Sequence, residues 1–145
     1  MRIMFDTNAF DKMQSSSEDI ERIVANDENE YFITSIQIEE INNIPDARKK
    51  QRAKNLLVLC KIGAQLVYVP AVLGHARLGW CVISSEDDIY NDLLKPTRSN
   101  VNDAMIGSAA KREQCTIVTD DIDFAKRLQK HNISTMTYET FIHNL

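Results

Sequence analysis

The fold class that the sequence predicts is α/β, built on a parallel sheet of four to five strands. Short apolar runs typical of buried strands alternate along the chain with segments whose apolar residues show helical spacing. Such alternation is typical of βαβ units, whose parallel strands are joined by right-handed crossovers. The chain has 145 residues, about the size of one domain, and no linker or low-complexity tract divides it. We therefore predict a single domain over residues 1–145.

The first half of the chain predicts three strands and three helices. Three apolar runs have the length and composition of buried strands: Ile3–Phe5, Tyr31–Thr34 and Leu66–Val69, which Pro70 closes. Three segments combine helical spacing with a helix-start or turn signal: Ser17–Val24, the residues from the cap Ser35 through Ile41, and Ala47–Ile62. Gly63 follows the long helix, at the position where glycine commonly ends one.

The second half is less regular at its start. Residues Ala71–Ser84, interrupted by two glycines, show no clear strand or helix pattern. A short helix is predicted from Ser85 to about Leu94, and a longer one from a cap at Ser99 or Asn100 through Ala110. Three further elements precede a short final helix: a strand at Thr116–Thr119, a helix at Phe124–Gln129 and a fifth strand at Ile133–Met136.

Composition and charge leave the ligand class open. Hydrophobic residues make up 43% of the chain and charged residues 26%, as in ordinary globular domains. The formal net charge is −4. If five of the 21 acidic residues form one metal site, 16 remain against 17 basic residues, and the rest of the molecule is close to neutral. The charge therefore neither favours nor excludes nucleic acid as a ligand.

The cysteines and the apolar runs predict a cytoplasmic protein without a membrane partner. Cys60, Cys81 and Cys115 form no CxxC pair and lie among apolar residues, which favours buried free thiols and a reducing compartment. The apolar run Ile3–Phe5 is shorter than the core of a signal peptide. No run reaches the length of a membrane span.

Aspartates stand where two of the predicted strands end. Asp6 follows Ile3–Phe5, and Asp121 and Asp123 follow the strand that ends at Thr119. Adjacent parallel strands bring their carboxyl ends to one edge of the sheet, where ligands bind. Carboxylates gathered at such an edge repel one another unless a cation lies between them. The sequence therefore predicts a divalent-metal site at this edge.

Each acid also has an ordinary structural explanation. An aspartate after a strand is a common helix cap or turn residue, which applies to Asp6 and to the pair around Ile122. Asp103 lies in the first turn of its predicted helix, where the helix dipole favours negative charge. Glu40 follows Glu39, and one of the two is expected to face solvent. The joint placement of the acids, rather than any one of them, favours the metal site.

Four segments together resemble the signature of the PIN-domain nucleases, and in particular of their small VapC-type toxins. In chain order they are Asp6-Thr7-Asn8, Thr34–Ile41, Asp103–Ala110 and Thr119–Phe124. The likeness extends from Ile3 to about Met136. One such segment is a weak signal, whereas four in this order are fairly specific. The resemblance implies a three-layer α/β/α sandwich whose acids bind Mg²⁺ or Mn²⁺ and which hydrolyses RNA.

The resemblance also implies a role for individual residues. Four fall on acidic positions that are both catalytic and metal-binding: Asp6, Glu40, Asp103 and Asp121. Asp6 and Asp121 would bind an ion directly or through one water, Asp103 would hold a second ion if there is one, and Glu40 would orient the attacking water. Further matches are Asp123, an accessory metal ligand, and Asn8 and Thr119, which would fix the rotamers of the carboxylates.

Two positions of the match are assigned only to within one residue. Glu39 precedes Glu40, and Asp120 precedes Asp121, so either member of each pair suits the second and fourth acidic positions. Gln37 departs from the family pattern, which more often has threonine there. The chain by itself also leaves open whether one ion or two bind.

A basic run at the start of the long predicted helix is the candidate RNA-binding surface. Its side chains form two i, i+4 rows, Arg48 with Arg52 and Lys50 with Lys54, which suit contacts with phosphates. An ordinary solvated helix face explains the same pattern. The three histidines lie outside the motifs, and we assign them no catalytic role: His75, His131 and His143.

Two other α/β families also place an aspartate after the first strand. A haloacid-dehalogenase-type phosphatase needs a second aspartate two residues later, where this chain has Asn8. A receiver domain needs a lysine after a late strand, and none follows Val69 or Thr119 closely. Both families are therefore disfavoured.

The alternative that stays open is a PIN-like module that binds RNA or protein without cleaving it. The complete set of four acids favours the nuclease. A toxin would need RNA as its substrate and an antitoxin protein as its partner, and a homodimer is also compatible with the sequence.

Overall fold

Five parallel strands form the main sheet in the computed structural model, which describes residues 1–70, 81–82, 93 and 101–145. The strands in chain order are β1 Arg2–Phe5, β2 Glu30–Thr34, β3 Gln65–Val67, β4 Val69–Pro70, β5 Cys81–Val82, β6 Thr116–Val118 and β7 Thr135–Met136. The main sheet has the order β3-β2-β1-β6-β7, and β4 pairs with β5 in a separate parallel ladder. The chain order reverses between β1 and β6, so the carboxyl ends of these strands form the switch point where ligands bind in open sheets.

Helices cover both faces of the main sheet. They are α1 Thr7–Met13, α2 Ser17–Ala25, α3 Ser35–Asn42, α4 Lys49–Lys61, α5 Val101–Arg112, α6 Ile122–Lys130 and α7 Tyr138–His143, with a 3₁₀ turn at Asp46–Arg48 before α4. One buried cluster joins the sheet to α5 and α6, and a second joins it to α1, α2, α4 and α7. Neighbouring strand residues such as Met4 and Phe5 point to opposite clusters, as the two-residue period of a strand requires. The predicted three-layer α/β/α sandwich is confirmed.

Four aromatic rings lie under the central strand. The ring of Phe5 stacks on that of Tyr31, with centroids 5.7 Å apart. It meets the rings of Phe10 and Phe141 edge to face, at centroid distances of 6.1 Å and 5.2 Å. Phe5, Phe10 and Phe141 are buried to 1% exposure or less. Because Phe5 is the last residue of β1, this cluster supports the point at which the strand ends.

Several element boundaries differ from those predicted. The third predicted strand, Leu66–Val69, is divided, since β3 ends at Val67 and Val69 belongs to β4 in the smaller sheet. The helix caps are Ser16 and Thr34 rather than Ser17 and Ser35, because each cap residue keeps an extended backbone and its hydroxyl accepts a helix N–H. The glycine after α4 is confirmed, with φ of 65° at Gly63.

Part of the second half lies outside the described residues. Within Ala71–Ser84, only Cys81 and Val82 are described. Of the short helix predicted from Ser85 to about Leu94, only Leu93 is described, and it is helical and buried. The predicted caps Ser99 and Asn100 also lie outside the described residues.

The three thiols differ in their environments, although all were expected to be buried. Cys115 is buried, Cys81 is intermediate and Cys60 is exposed, and all three are free. Cys60 is exposed because α4 turns that side toward solvent. Within the described residues, no helix has the length and apolar character that crossing a bilayer requires.

Candidate functional site

Asp6 lies where β1 ends and α1 begins, and it is only 8% exposed. Its backbone N–H donates to the Val118 carbonyl at 2.9 Å, which ties the ends of β1 and β6 together. One carboxylate oxygen accepts from the Thr7 backbone N–H at 2.7 Å, and the other accepts from the Thr119 hydroxyl at 2.8 Å. Asp6 is thus the N-cap of α1 and, at the same time, a buried carboxylate at the switch point.

Thr119 connects the two strand-end acids. Its hydroxyl donates to Asp6 and accepts from the Asp121 backbone N–H at 3.1 Å. Asp121 caps α6, since its carboxylate accepts from the Phe124 N–H at 2.8 Å. Thr119 is 3% exposed, so its position is set by the surrounding structure. One buried hydroxyl therefore fixes the rotamer of Asp6 and the start of α6.

Glu40 approaches the same edge from α3. The Thr7 hydroxyl donates to one of its oxygens at 2.7 Å, and the Asn102 side chain donates to the other. Gln37 anchors α3, because this fully buried amide donates to the Phe5 carbonyl and closes a capping box with Thr34. The departure from threonine at position 37 therefore gives α3 a direct bond to the end of β1, beside Asp6.

Asp103 reaches the site from the first turn of α5 and forms an ion pair that the sequence did not predict. The Arg127 guanidinium on α6 donates to its carboxylate at 2.8 Å, and the two side chains are 23% and 33% exposed, Arg127 being the more buried. No local spacing rule relates two residues on different helices, so only the packing of α5 against α6 brings this pair together. In the sequence, Arg127 looks like an ordinary basic residue in the last turn of a helix, so nothing local points to its partner.

Burial and mutual repulsion shift the ionisation of two of the acids. Burial raises the pKa of Asp6 above its ordinary value, the hydrogen bonds from Thr119 and Thr7 oppose the rise, and the charges of Asp103 and Glu40 add to it. Burial likewise raises the pKa of Asp103, where Arg127 opposes the rise and the charge of Asp121 adds to it. Asp103 and Glu40 thus act electrostatically on Asp6, and Asp121 acts on Asp103. The convergence of the four carboxylates on one metal ion stays a prediction.

The donor chemistry of this cluster fits a hard divalent cation. Four carboxylates with neighbouring hydroxyl and amide groups form an oxygen-rich set of the kind that Mg²⁺ and Mn²⁺ prefer. Within the parts of the chain that the structure describes, no three His, Cys, Asp or Glu side chains form a group that could hold an ion as they stand. The carboxylate oxygens accept hydrogen bonds from protein donors such as Thr119 and Arg127.

The remaining predicted residues lie around this cluster. Asp120 forms an ion pair with Lys12 at 2.8 Å and accepts from the Tyr138 N–H, so its carboxylate faces α1 and α7. Asp121, by contrast, acts on Asp103. Asp123 is 92% exposed and lies 4.0 Å from Lys126. Asn8 is exposed, and its neighbour Thr7 makes the bond to Glu40.

The basic run divides into one anchored side chain and three exposed ones. Arg52 bonds to Asp46 at 3.1 Å and to the Ile44 carbonyl at 3.2 Å. The other three candidates are exposed: Arg48, Lys50 and Lys54. Because α4 leads into the amino end of β3, its first turns lie toward the carboxyl edge of the sheet. His131 caps the end of α6, His143 lies in α7, and His75 is outside the described residues.

Replacing Asp6 by asparagine is expected to raise the melting temperature by a few degrees in EDTA at pH 7. Asparagine keeps an oxygen for the Thr7 N–H and offers an N–H to Thr119, while it removes a buried charge that Asp103 and Glu40 repel. The folded-state pKa of Asp6 is raised, so the parent loses stability as the pH rises through 3.8 toward that higher value. Asp6→Asn should therefore be more stable than the parent at pH values above this range, and the difference in stability should vanish at pH values below it.

Thermal melts at pH 3 and pH 7, with and without Mn²⁺, measure this effect. Mn²⁺ should raise the melting temperature of the parent and not that of Asp6→Asn. The exposed Asp27→Asn is the matched control and should leave both values unchanged. A variant that melts below the parent in EDTA at pH 7 would contradict the proposed repulsion.

Comparison with known proteins locates the chain in one family. The sequence profile described as the PIN domain matches residues 3–128. No curated protein sequence matches the chain. Among solved structures, a chain of VapBC2 from Rickettsia felis, bound to a DNA fragment from the promoter, aligns with a TM-score of 0.61 and 19% identity, over 94% of this chain and 98% of its own.

Two further structures show the same fold. PAE2754 from Pyrobaculum aerophilum aligns with a TM-score of 0.59 and 14% identity, over 99% of this chain and 97% of its own. VapBC-1 from nontypeable Haemophilus influenzae aligns with a TM-score of 0.55 and 15% identity, over 96% of this chain and 99% of the other. At such low identities, these likenesses concern the fold alone.

Proposed function

Because this chain belongs to the PIN domain family, we propose that it is a divalent-metal-dependent endoribonuclease that hydrolyses phosphodiester bonds of RNA. The observation that supports this most is the placement of Asp6, Glu40, Asp103 and Asp121 at the carboxyl edge of the sheet, where each acts electrostatically on another. Asp6 is a buried carboxylate with like charges beside it, which is costly for a fold, and a bound cation would remove that cost.

The roles of the side chains follow from their positions. Asp6 and Asp121 would hold the first Mg²⁺ or Mn²⁺, with Asp103 and Asp123 as further ligands. When bound, such an ion supplies an activated water and neutralises charge that develops on the phosphoryl group. Thr119 keeps the Asp6 carboxylate in one rotamer, so the ligand needs little reorganisation.

Glu40 orients the attacking water in this proposal. Its two oxygens accept from Thr7 and Asn102, which fix the carboxylate at the edge of the site. These positions let Glu40 receive a proton without leaving its hydrogen-bonded place.

We further propose that the protein is the toxin of a toxin–antitoxin pair. Two of the aligned structures are VapBC proteins, and their likeness covers nearly the whole chain. The partner would be a small antitoxin protein that covers the acidic edge, and the toxin would act in the cytoplasm as a monomer or homodimer. The three free thiols suit that reducing compartment.

Cleavage of total RNA tests the proposed activity. The purified protein should cleave RNA in Mg²⁺ or Mn²⁺ and should fail to cleave it in EDTA. Binding of RNA in both conditions without cleavage in either would support the alternative of a catalytically silent RNA-binding module.

Replacing Lys50 and Lys54 together by alanine should weaken RNA binding and leave the chemical step unchanged. Both side chains are exposed on one row of α4. Each lysine–phosphate interaction that is removed should make the dependence of log affinity on log salt shallower by about 1. Filter binding in EDTA at several salt concentrations measures the slope. Lys61→Ala with Lys130→Ala removes the same charge elsewhere, and an equal effect of that pair would show that the Lys50–Lys54 row has no special role.

A further inference from the structure

Arg127 is a cation built into the acidic site. Its guanidinium donates to the Asp103 carboxylate at 2.8 Å, and its central carbon lies 5.6 Å from the centroid of the Phe124 ring. The side chain is 23% exposed, so it does not extend freely into solvent. A carboxylate and an aromatic face together hold the guanidinium in place, which is a common arrangement for arginine.

Arg127 pairs with Asp103, the acid whose charge interacts with those of two other acids of the site. Asp103 acts electrostatically on Asp6, and Asp121 acts on Asp103. Asp103 is also the residue to which the resemblance to PIN-domain nucleases assigns a second ion. Arg127 and Asp121 belong to the same helix, α6, so the positive charge is fixed relative to the acid that caps it. A positive charge therefore already neighbours the position of a second cation.

The position of Arg127 favours one ion rather than two. A second ion at Asp103 would share that carboxylate with Arg127 and would lie beside a guanidinium of like charge. We propose that Arg127 takes the place of a second cation, so that this chain binds a single divalent ion. The inference rests on the proposed metal-dependent function.

Counting bound Mn²⁺ tests this inference without any measurement of cleavage. The EPR signal of free Mn²⁺ gives the stoichiometry for the parent and for Arg127→Met, which keeps the apolar stem beside Phe124 and removes the charge. The parent should bind one Mn²⁺ per chain. Arg127→Met should bind two, with the Kd of the second ion lowered at least tenfold relative to the parent. Arg127→Lys, which keeps the charge, should bind one.

Two controls complete the experiment. Lys126→Met removes the neighbouring charge, which is 69% exposed on the same helix, and should bind one ion like the parent. Thermal melts in EDTA show whether each variant folds, and Arg127→Gln replaces Arg127→Met if the latter does not.

The outcomes separate the two proposals. Two ions in the parent, or one ion in the parent and in the folded neutral variant at Arg127, would overturn the role of Arg127 and leave a metal-dependent nuclease intact. No bound Mn²⁺ in any variant would overturn the metal site and the inference together. A second ion in Lys126→Met as well as Arg127→Met would indicate a general charge effect and would also overturn the role of Arg127.

Discussion

Asp6→Asn is expected to lower the single-turnover rate of RNA cleavage by about a thousandfold or more, which corresponds to a loss of about 4 kcal/mol of transition-state stabilisation. Asp6 is the buried acid of the site, and its two oxygens already accept hydrogen bonds from the Thr7 N–H and the Thr119 hydroxyl at the end of β1. Asparagine keeps the packing and an oxygen for the Thr7 N–H, and its amide N–H can donate to the Thr119 oxygen, but it supplies one neutral oxygen in place of a carboxylate. The decrease in rate should therefore report mainly the loss of the charge.

Single-turnover cleavage in Mg²⁺ and in Mn²⁺, with enzyme in excess over RNA, measures this effect. Asp121→Asn should cause a decrease of similar size. Asp120→Asn should cause a much smaller one, because that carboxylate is paired with Lys12 and faces α1. The comparison decides which of the two adjacent aspartates is the fourth acid.

The control for all these variants is Asp27→Asn, which removes an exposed charge in the turn before β2, at the opposite edge of the sheet. It should cleave at the parent rate. If Asp6→Asn, purified in the same way, cleaves as fast as the parent, the observed activity belongs to a contaminating ribonuclease and the proposed function is wrong.

Phe5→Ala is expected to lower the free energy of unfolding by about 3–5 kcal/mol, the usual cost of removing a buried phenyl ring and leaving a cavity. Phe5 is fully buried and contacts the rings of Phe10, Tyr31 and Phe141. These rings come from α1, β2 and α7, so the substitution affects three elements at once. A decrease of this size is a large share of the stability of an ordinary domain.

Urea denaturation followed by circular dichroism measures the change as a shift of the midpoint at constant slope. Phe5→Leu, which keeps most of the volume, should cost no more than about 1.5 kcal/mol. Leu57→Ala, at a side chain that is 56% exposed, should change the stability by less than about 0.5 kcal/mol. A decrease below about 1 kcal/mol in Phe5→Ala would mean that the ring cluster does not support the end of β1 as described.

Local chemistry explains which parts of the fold the sequence predicted well. The strands around Met4, Phe32 and Ile117 were visible as apolar runs because both faces of a central parallel strand are buried. Gly63 marked the end of α4 because the backbone there needs a positive φ. The division of Leu66–Val69 between two sheets was not visible, since either pairing satisfies the same apolar residues.

The candidate site was also only partly visible. Asp6 and Asp121 could be recognised because each follows a strand, and that position fixes the edge of the sheet to which it belongs. The bond of Thr7, rather than Asn8, to Glu40 depends on the rotation of α1, which no short motif encodes. The free Cys60 is exposed for a similar reason, because helix packing rather than local hydrophobicity decides which side of α4 faces solvent.

The sequence by itself determined the α/β class, the parallel strands and the edge at which the acids lie, because strand periodicity and the position of an acid after a strand are local properties of the chain. The tertiary structure decided which donors hold those acids. Thr119 bonds to Asp6 across 113 positions, and Arg127 reaches Asp103 from another helix. Such bonds arise when β6 pairs with β1 and α6 packs beside α5, and the free energy that selects them comes from the buried core around them.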